Sequence, residues 1–145
     1  MLPQDAVAVK LIPAAAGAAS APAVEAEPVA RPAILDAEKL VCYDVALELQ
    51  MLCGTLAPAG HRVLQDQLER ASLSVVCKIA EGAGRRSRKD KRRMYAIARG
   101  SAAETAAIVD VLRLRHLAPE GQCRSTRWLA VRVVQLLTKL DAGLA

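Results

Sequence analysis

The chain has no phenylalanine, one tryptophan and two tyrosines among 145 residues. Proteins that hold single-stranded nucleic acid on a sheet stack its bases on aromatic side chains, and Tyr43, Tyr95 and Trp128 are too few to pave such a surface. Histidine is almost as scarce: His61 and His116 stand in neither an HExxH nor an ExxH frame, which removes the helical zinc-protease pattern and the ferritin-like di-iron site. Both fall at expected helix ends, where they read as solvent-facing side chains. The four cysteines, Cys42, Cys53, Cys77 and Cys123, form no CxxC pair and have no histidine at ligand spacing, so no metal site is expected. No stretch reaches the ~18 uninterrupted apolar residues of a membrane span. Gly82-Ala83-Gly84 follows no strand pattern and lacks the Lys-Ser/Thr of a P-loop, so it reads as a helix stop and turn. No cofactor is implied.

What remains is a chain that is 53% hydrophobic but only 2% aromatic, its apolar content being alanine, leucine and valine. Such a core suits small-residue helix packing better than a β-sandwich, whose strands favour aromatic and β-branched residues. The length fits one domain with a modest core. An even number of cysteines permits disulfides, but extensive regular helix does not need them, and buried free thiols in a reducing cytoplasm are the expectation.

Residues 1–33 hold five of the seven prolines and twelve alanines. Prolines at this density interrupt any helix longer than about two turns. Residues 1–35 therefore read as a flexible Ala/Pro-rich tail that gains too little burial to offset its ordering entropy. Ala19-Ser20-Ala21 resembles a leader cleavage site, but no base precedes the apolar stretch, and Lys10 and Pro13 break it. A cytoplasmic location is expected.

From residue 36 onward the apolar positions step by four and three, as packed helices require. The first run is Cys42, Ala46, Leu49, Cys53 and Leu56, ending near Pro58 and Gly60. The second is Leu64, Leu68, Ala71, Val75 and Ile79, with Gly82 as an expected left-handed terminator. The third is Met94, Ala98, Ser101, Thr105, Ile108 and Leu112, opened by Ser87 as N-cap with Asp90 three residues on, and ending near His116. The fourth is Leu129, Val133, Leu136 and Leu140, closing at Gly143. Four such helices with short connections predict an all-α, antiparallel up-down four-helix bundle over residues 36–143. Small residues at Ala71, Ala98, Ser101 and Thr105 should draw the second and third helices together. Gly100 in mid-helix costs ~1 kcal/mol relative to alanine, which suggests another helix, from this chain or a neighbouring one, packed tightly against it.

The net charge of +5 is concentrated. Arg85, Arg86, Arg88, Lys89, Lys91, Arg92 and Arg93, with Asp90 the one acid among them, carry +6, so the rest of the chain sums to −1. Such a cluster is the electrostatic footprint of a polyanion partner, whether nucleic acid, an anionic membrane or an acidic protein face, and charge alone fits a solvated helix start equally well. At 100° per residue, Arg88, Arg92, Arg99 and Arg113 share the side of the third helix opposite its apolar stripe. Guanidinium groups on a rigid strip can meet phosphates bidentately. Glu81 and Glu104 with Arg70 could serve acid–base chemistry, but ion pairing explains them more simply, and an enzyme is not expected.

Several short motifs stand together: Arg70 with Ser74, Ile79-Ala80-Glu81-Gly82, Gly84-Arg85 with Ser87, and Ile97-Ala98 with Gly100-Ser101 and Glu104. Their combination resembles the four-helix bundle family of proteins encoded in intervening sequences of bacterial 23S rRNA genes, over Asp36 to Gly143. The resemblance implies a bundle that assembles into a ring, usually a homopentamer. It also implies a relationship to the accessory proteins of diversity-generating retroelements, which bind nucleic acid and a reverse transcriptase. Arg70, Glu81, Gly82, Ser87, Asp90, Gly100, Ser101 and Glu104 are its motif positions here. The chain departs from the pattern at Lys78 (usually Asn), at Lys91 (usually aromatic) and at Met94-Tyr95 (usually Phe-Leu). The first two changes add positive charge. The combined expectation is a non-enzymatic, oligomeric bundle that binds nucleic acid, RNA with little sequence preference, through Arg85, Arg86, Arg88, Lys89, Lys91, Arg92, Arg93 and Arg99. The alternative is a protein–protein scaffold.

Overall fold

The computed structural model describes residues 34–56 and 59–145. The Ala/Pro-rich tail lies outside the described residues as far as residue 33. A single 3-10 turn, Asp36–Lys39, precedes four helices: α1 (Val41–Leu56), α2 (Arg62–Gly84), α3 (Arg88–Leu114) and α4 (Glu120–Leu144). Each helix packs on two neighbours, in the cyclic order α1, α2, α3, α4, and the diagonal pairs do not meet. Cross-helix bonds fix the directions. Ser74 pairs with Ser101 while Lys91 reaches back to Ala83; Arg127 pairs with Asp110 while Arg92 reaches Asp141. In each pair of helices one residue number rises as the other falls, so the bundle is up-down-up-down. No helix among the described residues is long and apolar enough to cross a membrane.

The α1 stripe is buried as its spacing predicts: Cys42, Ala46, Leu49, Cys53 and Leu56 all face the core. Burial pushes the Cys42 and Cys53 thiols up to about 11, so both stay protonated at neutral pH. All four cysteines are free, and Cys77 alone is exposed. On α3 the inward line is Met94, Tyr95, Ala98, Ala102, Thr105, Val109 and Leu112. Ser101 and Ile108, expected in that line, are half-buried; Ser101 bonds Ser74 of α2 at 2.9 Å. On α4, Ala130 and Leu137 are buried, while Leu136 and Leu140 pack at the core margin. Buried Ser72, Thr105 and Thr126 each donate to a carbonyl three or four residues back, Glu69, Ser101 and Gln122, so their hydroxyls cost the core no lost hydrogen bond.

One glycine acts differently from expectation. Gly82 has no left-handed backbone and α2 continues through it to Gly84. Its role is close approach: a Cβ there would lie 2.7 Å from Cε1 of Tyr95. The left-handed terminator is instead His116, at φ 54° after α3. The N–H of Leu117 donates to the Leu112 carbonyl at 2.9 Å and that of His116 to Arg113 at 3.1 Å, the paired closure of a Schellman turn. At Gly100 a Cβ meets nothing within 4 Å, so among the described residues no helix of this chain packs against it, and of the two expected sources only a neighbouring chain is left.

Candidate functional site

The α3 start is built as its sequence predicts. Ser87 is extended (φ −76°, ψ 135°) and its hydroxyl accepts from the Asp90 N–H at 3.1 Å. This is the forward half of a capping box. Lys91, on the first turns of α3, donates to the Ala83 carbonyl at 2.7 Å and so ties the end of α2 to the start of α3. The charged cluster is thereby held on a rigid corner.

The eight expected binding residues then separate. Arg85 is engaged by Glu81 at 2.6 Å, and Lys78 meets the same carboxylate at 2.8 Å. These two bonds hold Glu81 below the usual carboxylate range. Lys91 is half-buried and spent on α2 carbonyls. Arg92 is gripped by Asp141 of α4, Nε to Oδ1 at 2.9 Å and a second nitrogen to Oδ2 at 3.2 Å. This fork raises the Arg92 pKa and lowers that of Asp141. Arg85, Lys91 and Arg92 are therefore not the free cations that spacing suggested. Arg86, Arg88, Lys89, Arg93 and Arg99 make no ion pair within 4.0 Å among the described residues.

Four of those five converge. Arg88, Lys89, Arg93 and Arg99 join Arg92 and Asp141, with Ala96 and Leu144, around an open groove of about 480 Å³ between the start of α3 and the end of α4. Arg86 stands outside it. Cations beside a helix C-terminus also have a purely structural use, since that end carries roughly half a negative charge. Here that half charge is offset by the opposite one at the start of α3, and the Asp141 carboxylate alone faces five cationic side chains, which leaves an excess of about +4. Structural pairing does not account for the surplus. Asp141 was invisible to reasoning within one helix; the antiparallel register of α3 and α4 was the signal that could have found it. Arg113, expected on the same strip, lies at the far end of α3 near Glu120, at 3.8 Å.

The motif positions make a second, smaller assembly. Arg70, Ser74, Ser101 and Glu104 line a shallow polar groove of about 220 Å³ between α2 and α3. Glu81 is not part of it, so the three side chains considered for acid–base chemistry are not brought together. No group of three or more His, Cys, Asp or Glu side chains is placed to hold a metal ion among the described residues.

Comparison with known proteins fits this architecture. A structure of a protein with unknown function from the S23 ribosomal protein family of Bacteroides thetaiotaomicron is similar, at 22% identity and a TM-score of 0.65. The alignment covers 70% of this chain and 98% of that one, and at such identity the likeness establishes the fold alone. No curated protein matches the chain. The sequence model of the 23S rRNA-intervening sequence protein family matches residues 38–139, the whole helical unit but for its ends. The chain thus belongs to the 23S rRNA-intervening sequence protein family.

Proposed function

We propose that this protein is a non-enzymatic accessory factor that binds nucleic acid, RNA with low sequence preference, through the cationic groove between α3 and α4. The observation that carries the reading is the unpaired surplus of charge gathered in one concavity by Arg88, Lys89, Arg93 and Arg99. The lining holds no aromatic ring, so it would grip phosphates and leave bases unread. Arg86 extends the positive field beyond the groove. Glu81, already held by Lys78 and Arg85, is unavailable for acid–base work, which supports a non-catalytic role. Free thiols, three of them buried, suit a reducing cytoplasm.

Assembly belongs to the same proposal. Val63 and Leu73 on α2, with Ile97, Val111 and Leu114 on α3, are exposed; so are Val41, Leu47 and Met51 on α1 and Trp128 on α4. The first set belongs to the α2–α3 pair and the second to the α1–α4 pair, which oppose each other in the cyclic order of the helices. Two different apolar faces favour head-to-tail contacts, which close into rings when the rotation permits, and a homopentamer is the ring proposed. A ring would repeat the groove and convert weak phosphate contacts into useful avidity.

Titration of a labelled RNA at two salt concentrations tests the reading. Affinity should fall with salt at a log–log slope of about −0.7 per phosphate neutralised. Absence of binding at low salt, or a flat salt response, would overturn it. Saturation by an acidic protein at one per subunit, insensitive to nuclease, would favour the scaffold reading instead.

A further inference from the structure

The groove is more specific than a basic strip. Internal phosphates of a nucleic-acid strand carry one charge each and are separated by a sugar, so one or two of them would leave much of the local excess unpaired. Contiguous phosphates share bridging oxygens, and a triphosphate concentrates about four negative charges in one place at neutral pH. That matches the excess of about +4 around Arg88, Lys89, Arg92, Arg93 and Arg99. The volume, about 480 Å³, admits such a group with its bound water. Asp141 holds Arg92 by two hydrogen bonds, which fixes one guanidinium plane at the groove wall before any anion arrives.

We infer that the α3–α4 groove prefers an oligophosphate, a run of contiguous phosphates, over an equal stretch of phosphodiester backbone. The inference shares with the proposed function only the choice of this groove as the anion site. Two sources carry the chemistry: a free oligophosphate and the 5′-triphosphate end of an RNA.

Competition against a labelled 5′-hydroxyl RNA, and direct calorimetry, test the inference with full-length protein. The probes are sodium tripolyphosphate, orthophosphate, and one RNA prepared with a 5′-triphosphate or a 5′-hydroxyl. At fixed ionic strength tripolyphosphate should bind at least about tenfold tighter than orthophosphate, equivalent to roughly one well-paired charge contact. Arg93→Gln and Arg99→Gln should each erase most of that margin, and Arg115→Gln, at the far end of α3, should preserve it. Helical circular dichroism confirms that each variant is folded. A gain of similar size for the triphosphorylated RNA over its hydroxyl form identifies the RNA end as the source; tripolyphosphate binding without that gain identifies the free compound. Equal binding of tripolyphosphate and orthophosphate overturns the inference. If 5′-hydroxyl RNA still binds in that case, the nucleic-acid reading stands without it. If tripolyphosphate binds and no RNA does, the site stands and the nucleic-acid reading falls.

Discussion

Gly82 and Gly100 are both glycines inside helices, and their surroundings give them opposite consequences. At Gly82 a methyl group would run into the ring of Tyr95, itself buried and backed by the core. Gly82→Ala should therefore destabilise by about 1–3 kcal/mol through overpacking. At Gly100 the same methyl meets nothing, so Gly100→Ala should stabilise the bundle by about 0.5–1 kcal/mol through helix propensity. Urea unfolding of the two variants measures both. A loss of stability in Gly100→Ala would mean that a neighbouring copy packs on that position. Sequence alone ranked the two glycines the other way round, because a terminator and a close-approach glycine look alike until the opposing side chain is placed.

At the scale of the element, α3 carries most of what is distinctive. Its N-terminus is capped by Ser87, tied to α2 through Lys91 and clamped to α4 through the Arg92–Asp141 fork. The Asp141 and Glu81 carboxyls both lie below their ordinary range, the first through Arg92 and the second through Lys78 and Arg85. A group whose pKa is lower folded than unfolded adds stability above its unfolded value and loses it as the pH falls through the folded one. Stability should thus hold between pH 7 and pH 5 and decline below about pH 4, where carboxylates ordinarily protonate. Unfolding midpoints across that range test this, and the decline should be smaller in Glu81→Gln and Asp141→Asn. Both side chains are solvent-accessible, so the effect will be modest. Asp141→Asn should also tighten polyanion binding, since Arg92 loses its competitor. The within-helix periodicity revealed the cationic strip but not which members were free, since Asp141 and the α2 carbonyls come from elements distant in sequence.

For the whole molecule, the test of the groove is a charge reversal that leaves the structural pairs intact. Replacing Arg88, Lys89, Arg93 and Arg99 together by glutamate should abolish RNA binding while helical content and oligomer mass, by light scattering, stay unchanged. Including Arg85 or Arg92 would confuse the result, because each holds a carboxylate of its own. Unfolding of the fourfold variant would assign these side chains a structural role and remove the basis for the binding reading. A lone subunit in solution would remove the proposed ring and its avidity.

The residue pattern by itself determined the number of helices, the inward stripe of α1 with most of the others, and the concentration of charge near residue 90. Those properties follow from local rules: apolar spacing near 3.6, a serine cap, and the scarcity of aromatic residues that leaves a small-residue core. Tertiary structure decided which glycine is crowded and which cations remain unpaired. It also joined the start of α3 to the end of α4, 49 residues apart between Arg92 and Asp141, and so turned a strip into a groove. Charge balance is settled by neighbours in space, and no reading confined to one helix can supply them.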